Sequence, residues 1–161
     1  MLLRIRRTNA RRKIVFLSAL VSTTLLMAQS EADKICGLYY VVDKFTSGEQ
    51  CKVRIYRTDK GTYEAQVVWM NKPYNDDGTL RRDVNNPDPA LRNTPCNRVV
   101  MMRNLTYNAA EKEWQNGEVY NPQNGRFYRS YMSFENDKKL RVRGYWGISL
   151  LGLTMYWDKI E

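Results

Sequence analysis

Eight short stretches of this chain alternate apolar with polar residues or are rich in β-forming side chains, and several are joined by links too short for anything but a chain reversal. The stretches run over residues 37–43, 51–58, 62–69, 99–107, 113–120, 126–135, 139–145 and 153–159. Parity is plain in four of them. Tyr63, Ala65, Val67 and Trp69 share a face against Glu64 and Gln66, and Leu140, Val142 and Gly144 oppose Lys139, Arg141 and Arg143. Val53 and Ile55 alternate with Lys52 and Arg54, while Tyr128, Met132 and Phe134 lie opposite Arg129. Such period-two patterns give strands with one dry and one wet face. Asp59-Lys60-Gly61, Asn121 to Gly125 and Asn136-Asp137-Lys138 are hairpin links, so neighbours in sequence are expected to be antiparallel neighbours in the sheet. An all-β meander of eight strands, dry on one face, hides both edges by closing into an up-and-down barrel. A barrel of that size is either filled by side chains or holds one small ligand.

Strand direction sorts the links. With residue 37 at the bottom, the links 44–50, 70–98, 121–125 and 146–152 fall at the top, which makes the top the expected mouth. The 70–98 link is far longer than ordinary connections, and loops of that length are more often functional than accidental. Within it, Asp88 before Pro89 predicts a single helical turn, with Asp88 as N-cap accepting from the Leu91 amide and Pro95 closing the segment. Asp88 and Arg92 are spaced to pair across that turn.

The first 28 residues stand apart. Arg4, Arg6, Arg7, Arg11, Arg12 and Lys13 precede an uncharged apolar run from Ile14 to Met27, the pattern of a secretory signal peptide. The expected organisation is a leader over 1–28 and a single barrel domain over 31–161, periplasmic or secreted. The full chain carries 26 Lys plus Arg against 17 Asp plus Glu; without the six leader cations the balance is 20 to 17, or +3. The basic character that would suggest nucleic acid therefore belongs mostly to the leader, and no nucleic-acid partner and no stable membrane insertion after its removal are expected. Histidine is absent, which excludes Ser-His-Asp and Cys-His catalysis as usually built and removes the commonest zinc ligand. No metal and no cofactor are expected. Three cysteines in an exported protein allow one disulfide. Cys51 and Cys96 both fall at the top and Cys36 at the bottom, so Cys51–Cys96 is the expected bridge.

Three motifs carry a resemblance. Asn86-Pro-Asp-Pro-Ala-Leu-Arg-Asn, Glu118-Val-Tyr-Asn-Pro-Gln-Asn-Gly and Val142-Arg-Gly-Tyr-Trp-Gly-Ile-Ser-Leu-Leu-Gly resemble the bacterial exported family known as domain of unknown function 2147. The likeness spans nearly the whole mature chain, and it implies a lipocalin-like or calycin-like barrel without an established activity. The chain departs from the family pattern at Asn97-Arg98, where an apolar residue and glycine are usual, and at Leu153, where arginine is usual. Gly37-Leu38-Tyr39 and Lys159 further resemble the lipocalin arrangement of a first-strand aromatic ring beneath a last-strand cation.

The function expected is binding of a small, partly apolar molecule. Asp88, Leu91 and Arg92 from the long loop, with Tyr145, Trp146 and Trp69, are the candidate ligand-binding residues. Arg92 would anchor a polar or acidic head, and Tyr63, Trp69, Met101, Met132, Phe134 and Trp157 would line the interior. The alternative is a cell-envelope interaction or structural module without a cavity, using Tyr120, Tyr145 and Trp146 as surface anchors. Asp76, Asp77, Asp83 and Asp88 form a loop cluster of acids, but Asp77-Gly78 reads as turn chemistry, and no nucleophile has a base beside it. A non-enzymatic role is expected.

Overall fold

The computed structural model describes residues 31–43 and 48–161. The expected leader, and residues 44–47 of the first top link, lie outside the described residues. Eight strands, β1 (Gly37–Asp43), β2 (Glu49–Arg57), β3 (Tyr63–Met70), β4 (Val100–Asn108), β5 (Glu113–Asn121), β6 (Arg126–Asn136), β7 (Lys139–Tyr145) and β8 (Gly152–Lys159), pair in sequence order into a closed antiparallel barrel. The closing seam is short. Tyr39 pairs with Lys159 and Tyr40 with Asp158, and the Ile160 amide extends the seam by donating to the Leu38 carbonyl at 2.8 Å.

The interior is built from the dry faces the alternation predicts. Tyr39, Val53, Ala65, Met102, Leu105, Met132, Leu140 and Trp157 are fully inaccessible to solvent, so no water-sized void lies against them. Small residues make room for large ones on nearby strands. Leu105 occupies the space a side chain at Gly117 would need, and a Cβ on Gly144 would come within 3.0 Å of Val119. The barrel is therefore packed through its lower and middle layers. Exposure rises toward the top, where Val119, Tyr128 and Met155 are half-buried.

Two interior expectations are corrected by bulges. The β2–β3 register slips between Lys52 and Val53, so Val53 faces Val67 but Lys52 faces Trp69. Trp69 consequently leaves the dry face, and the Lys52 ammonium lies 5.6 Å from its ring centre. In the next pair Ala65 faces Met102 while Gln66 faces Val100, and the skipped residue is Met101. Met102, not Met101, fills the core. A bulge inserts one residue and shifts parity beyond it.

At the bottom, the Lys159 ammonium sits 5.8 Å from the Tyr39 ring centre and 5.7 Å from that of Phe134. Burial lowers the Lys159 pKa. Tyr39 donates to the Ile35 carbonyl at 2.8 Å, and burial raises the pKa of its phenol. This is the cation over an aromatic ring expected at the closed end.

Candidate functional site

The long link between β3 and β4 packs as an ordered element. Arg81 ties it to β2 through Glu49 at 2.9 Å and to its own chain at the Lys72 carbonyl at 3.0 Å. Arg82 donates to the Asn93 carbonyl at 2.6 Å, and the Asp83 amide donates to Thr94 at 3.0 Å. The side chain of Asp83 is buried, and it accepts from the Tyr120 hydroxyl and from Asn86 Nδ2, both at 2.6 Å. Burial and the Asp83 carboxyl together raise the Tyr120 pKa, keeping its hydroxyl a donor. Asn85 Nδ2 then donates to the Pro122 and Gln123 carbonyls at 3.1 and 3.0 Å, fastening the loop to the β5–β6 link.

The helical turn forms over Pro89–Leu91, one residue tighter than expected. Asp88 caps it through the Ala90 amide at 2.9 Å, whereas Leu91 donates to the Asp88 backbone carbonyl at 3.0 Å. In a 3₁₀ turn the second helical amide is the one that faces the cap. Arg92 turns its Nε to the Asn86 carbonyl at 2.8 Å rather than toward Asp88, and Leu91 is exposed. Asp88 and Arg92 are thus occupied in shaping their own loop.

Beside this loop, an open groove of about 530 Å³ runs along the top rim, lined by Glu118, Arg126, Phe127, Tyr128, Arg129, Tyr145, Trp146 and Gly147. Strand register assembles it. Glu118 pairs with Arg129 and Tyr120 with Phe127 across β5 and β6, and Arg129 pairs with Tyr145 across β6 and β7. Phe127 and Arg129 alternate with the buried Ser130 and Met132, so they stand on the outer surface. The Arg103 guanidinium lies 4.0 Å from the Phe127 ring centre and bonds Glu118 at 2.9 Å, neutralising the one acid among the lining residues. Arg126 stands 5.8 Å from the exposed Trp146 ring, which Tyr128 meets edge-on at 6.5 Å. An apolar floor with two further arginines suits a partly apolar molecule with an anionic group.

Of the expected site residues, Tyr145 and Trp146 line this groove; Asp88, Leu91, Arg92 and Trp69 do not. Arg126, Phe127, Tyr128, Arg129 and Glu118 line it as well and are not among the expected site residues. The signal available was Arg126-Phe-Tyr-Arg129, two aromatics bracketed by arginines at the start of a strand. The structure holds Cys36, Cys51 and Cys96 as half-buried thiols, so the expected Cys51–Cys96 bridge is not formed in it. Burial raises the Cys96 pKa against the opposing pull of Arg81.

A closed eight-strand antiparallel barrel, plugged at one end by a lysine over a tyrosine and grooved at the other rim, defines a lipocalin-like barrel protein. A Helicobacter pylori protein, HP1028, described as belonging to the lipocalin family, has this fold: TM-score 0.64 at 21% identity, over 79% of this chain and 83% of that one. Residues 37–159 match the bacterial family described as "Uncharacterized protein conserved in bacteria (DUF2147)", and the chain belongs to it. No curated protein matches the chain.

Proposed function

We propose that this protein is an exported, non-enzymatic binding protein that takes a small, partly apolar, anionic molecule into the rim groove. The observation that carries the reading is the juxtaposition of Phe127, Tyr145 and Trp146 with Arg126 and Arg129 around about 530 Å³, within the range of small-molecule sites. The packed lower barrel supports a rim site over a lumen site, because the fully buried core leaves no space there for a guest. The anchoring cation in this reading is Arg126 or Arg129, since the Arg92 Nε is engaged by the Asn86 carbonyl.

The test is titration with anilinonaphthalene sulfonate, an apolar anion whose emission reports burial. Saturable binding is expected, weakened roughly tenfold or more by Arg129→Ala and by Trp146→Ala, as for anchors at the centre of a contact. Unchanged affinity in both variants would refute the groove as the site.

A further inference from the structure

Beyond the groove-lining Trp146, the β7–β8 link carries an apolar tip the groove does not use. Trp146, Ile148, Leu150, Leu151 and Leu153 stand exposed within eight residues, from 42% at Leu153 to 81% at Leu150. Contiguous apolar exposure of this kind marks an interaction surface. The segment is not loose. The Trp146 amide donates to Leu151 at 3.2 Å and the Leu151 amide to Ile148 at 3.0 Å, closing the tip on itself. Arg143 reaches up from the outer face of β7. Its Nε and Nη2 donate to the Ser149 carbonyl at 3.2 and 2.7 Å, its Nη2 also to Leu150 at 3.1 Å, and its Nη1 to Thr154 Oγ1 at 2.8 Å.

We propose that this prong seats the protein on an anionic lipid bilayer, with Leu150 and Leu151 at the depth of the upper acyl chains and Trp146 at headgroup level. Three observations meet here. First, entering an apolar layer is costly for backbone groups without partners, and the tip satisfies the carbonyls of Ile148, Ser149, Leu150 and Leu151 from within. Second, tryptophan at the base of an apolar tip is the residue that membrane interfaces favour. Third, the charge is one-sided. The link 146–152 contains no acid, Arg143 stands at its base, and Arg126 and Arg129 stand beside it on the neighbouring strand. Anionic headgroups complement that arrangement, whereas a second copy of the chain docking prong to prong would set arginines against arginines.

The experiment is co-sedimentation of the protein, purified from its own host, with vesicles of phosphatidylglycerol and phosphatidylcholine and with vesicles of phosphatidylcholine alone. Binding is expected to the anionic vesicles, with a blue shift of tryptophan emission that Trp146→Phe removes. Leu150→Ser combined with Leu151→Ser is expected to lower partition roughly a hundredfold, about tenfold per leucine, while leaving the thermal transition and probe binding in the groove intact. Any of four results would overturn the proposal: no vesicle binding, equal binding to neutral vesicles, binding unchanged in the leucine variant, or a concentration-dependent dimer that the leucine variant abolishes. The last assigns the prong to a second copy. Because Leu150 and Leu151 do not line the groove, failure here leaves the ligand reading standing, and failure of probe binding leaves this one standing.

Discussion

Tyr120→Phe removes one oxygen and isolates the latch that fixes the long loop to the barrel. The hydroxyl lies 2.6 Å from Asp83 Oδ1, and both side chains are buried, so the phenyl variant leaves a buried carboxyl oxygen short of a donor. The ring itself keeps its packing against Phe127, 4.9 Å away centre to centre. A hydrogen bond to a charged, buried acceptor contributes about 1.5–3 kcal/mol. For a domain of this size that corresponds to a fall in Tm of about 5–12 °C. The assay is thermal unfolding of wild type and variant, with hydrogen exchange of the loop as second readout. The Asp83 amide, bonded to Thr94 at 3.0 Å, and the Leu91 amide, bonded to Asp88 at 3.0 Å, should lose protection ahead of the strands. An unchanged Tm, or a fall that leaves loop exchange untouched, would refute the latch.

Four further outcomes are expected. Burial raises the pKa of Tyr39, burial and the Glu64 bond push Tyr56 up to about 12, and burial with Asp83 raises Tyr120. Because the folded state holds these protons more tightly than an unfolded chain ionising near 10, their contribution is intact below that value and is lost as pH rises beyond it. The urea midpoint should therefore fall as pH rises from about 10 toward about 12, less steeply in Tyr120→Phe; a flat profile would contradict it. Gly125 has φ +68°, and a Cβ there would run into the Asn85 carbonyl, so Gly125→Ala should cost about 2 kcal/mol or more by urea unfolding and shift the loop signals in an NMR spectrum. Ser130 Oγ is buried without a hydrogen-bond partner, so Ser130→Ala should be neutral or raise stability by about 1 kcal/mol in the same assay; a clear loss would show an unseen partner. Cys51 and Cys96 are thiols in the structure, and oxidation is expected to join them: peptide mapping of the oxidised protein should find Cys51 joined to Cys96, closing about 45 residues for about 4 kcal/mol in the chain-entropy picture, while Cys36 in a bridge would overturn the pairing.

The architecture was legible because alternation and turn residues are local. The stretch read as 139–145 is β7 to the residue, and that read as 51–58 is β2, Glu49–Arg57, displaced only at its ends. Parity failed at Trp69 and Met101 because a bulge is set by how two strands meet, which neither strand records alone. The site was half legible for the same reason. Tyr145 and Trp146 declare themselves in a glycine-marked link, but Phe127 and Arg129 join them only through the β5–β6–β7 register. Asp83 looked like one of several loop acids; its pairing with Tyr120, 37 residues away, appears only once the loop is folded against the barrel.

Native mass spectrometry of the protein purified from its own host tests the central claim most directly. A retained small molecule is predicted in the wild type and in Arg92→Ala, and its loss when Arg129→Ala and Trp146→Ala are combined. A molecule that survives the groove variant and disappears with Arg92→Ala would contradict the account.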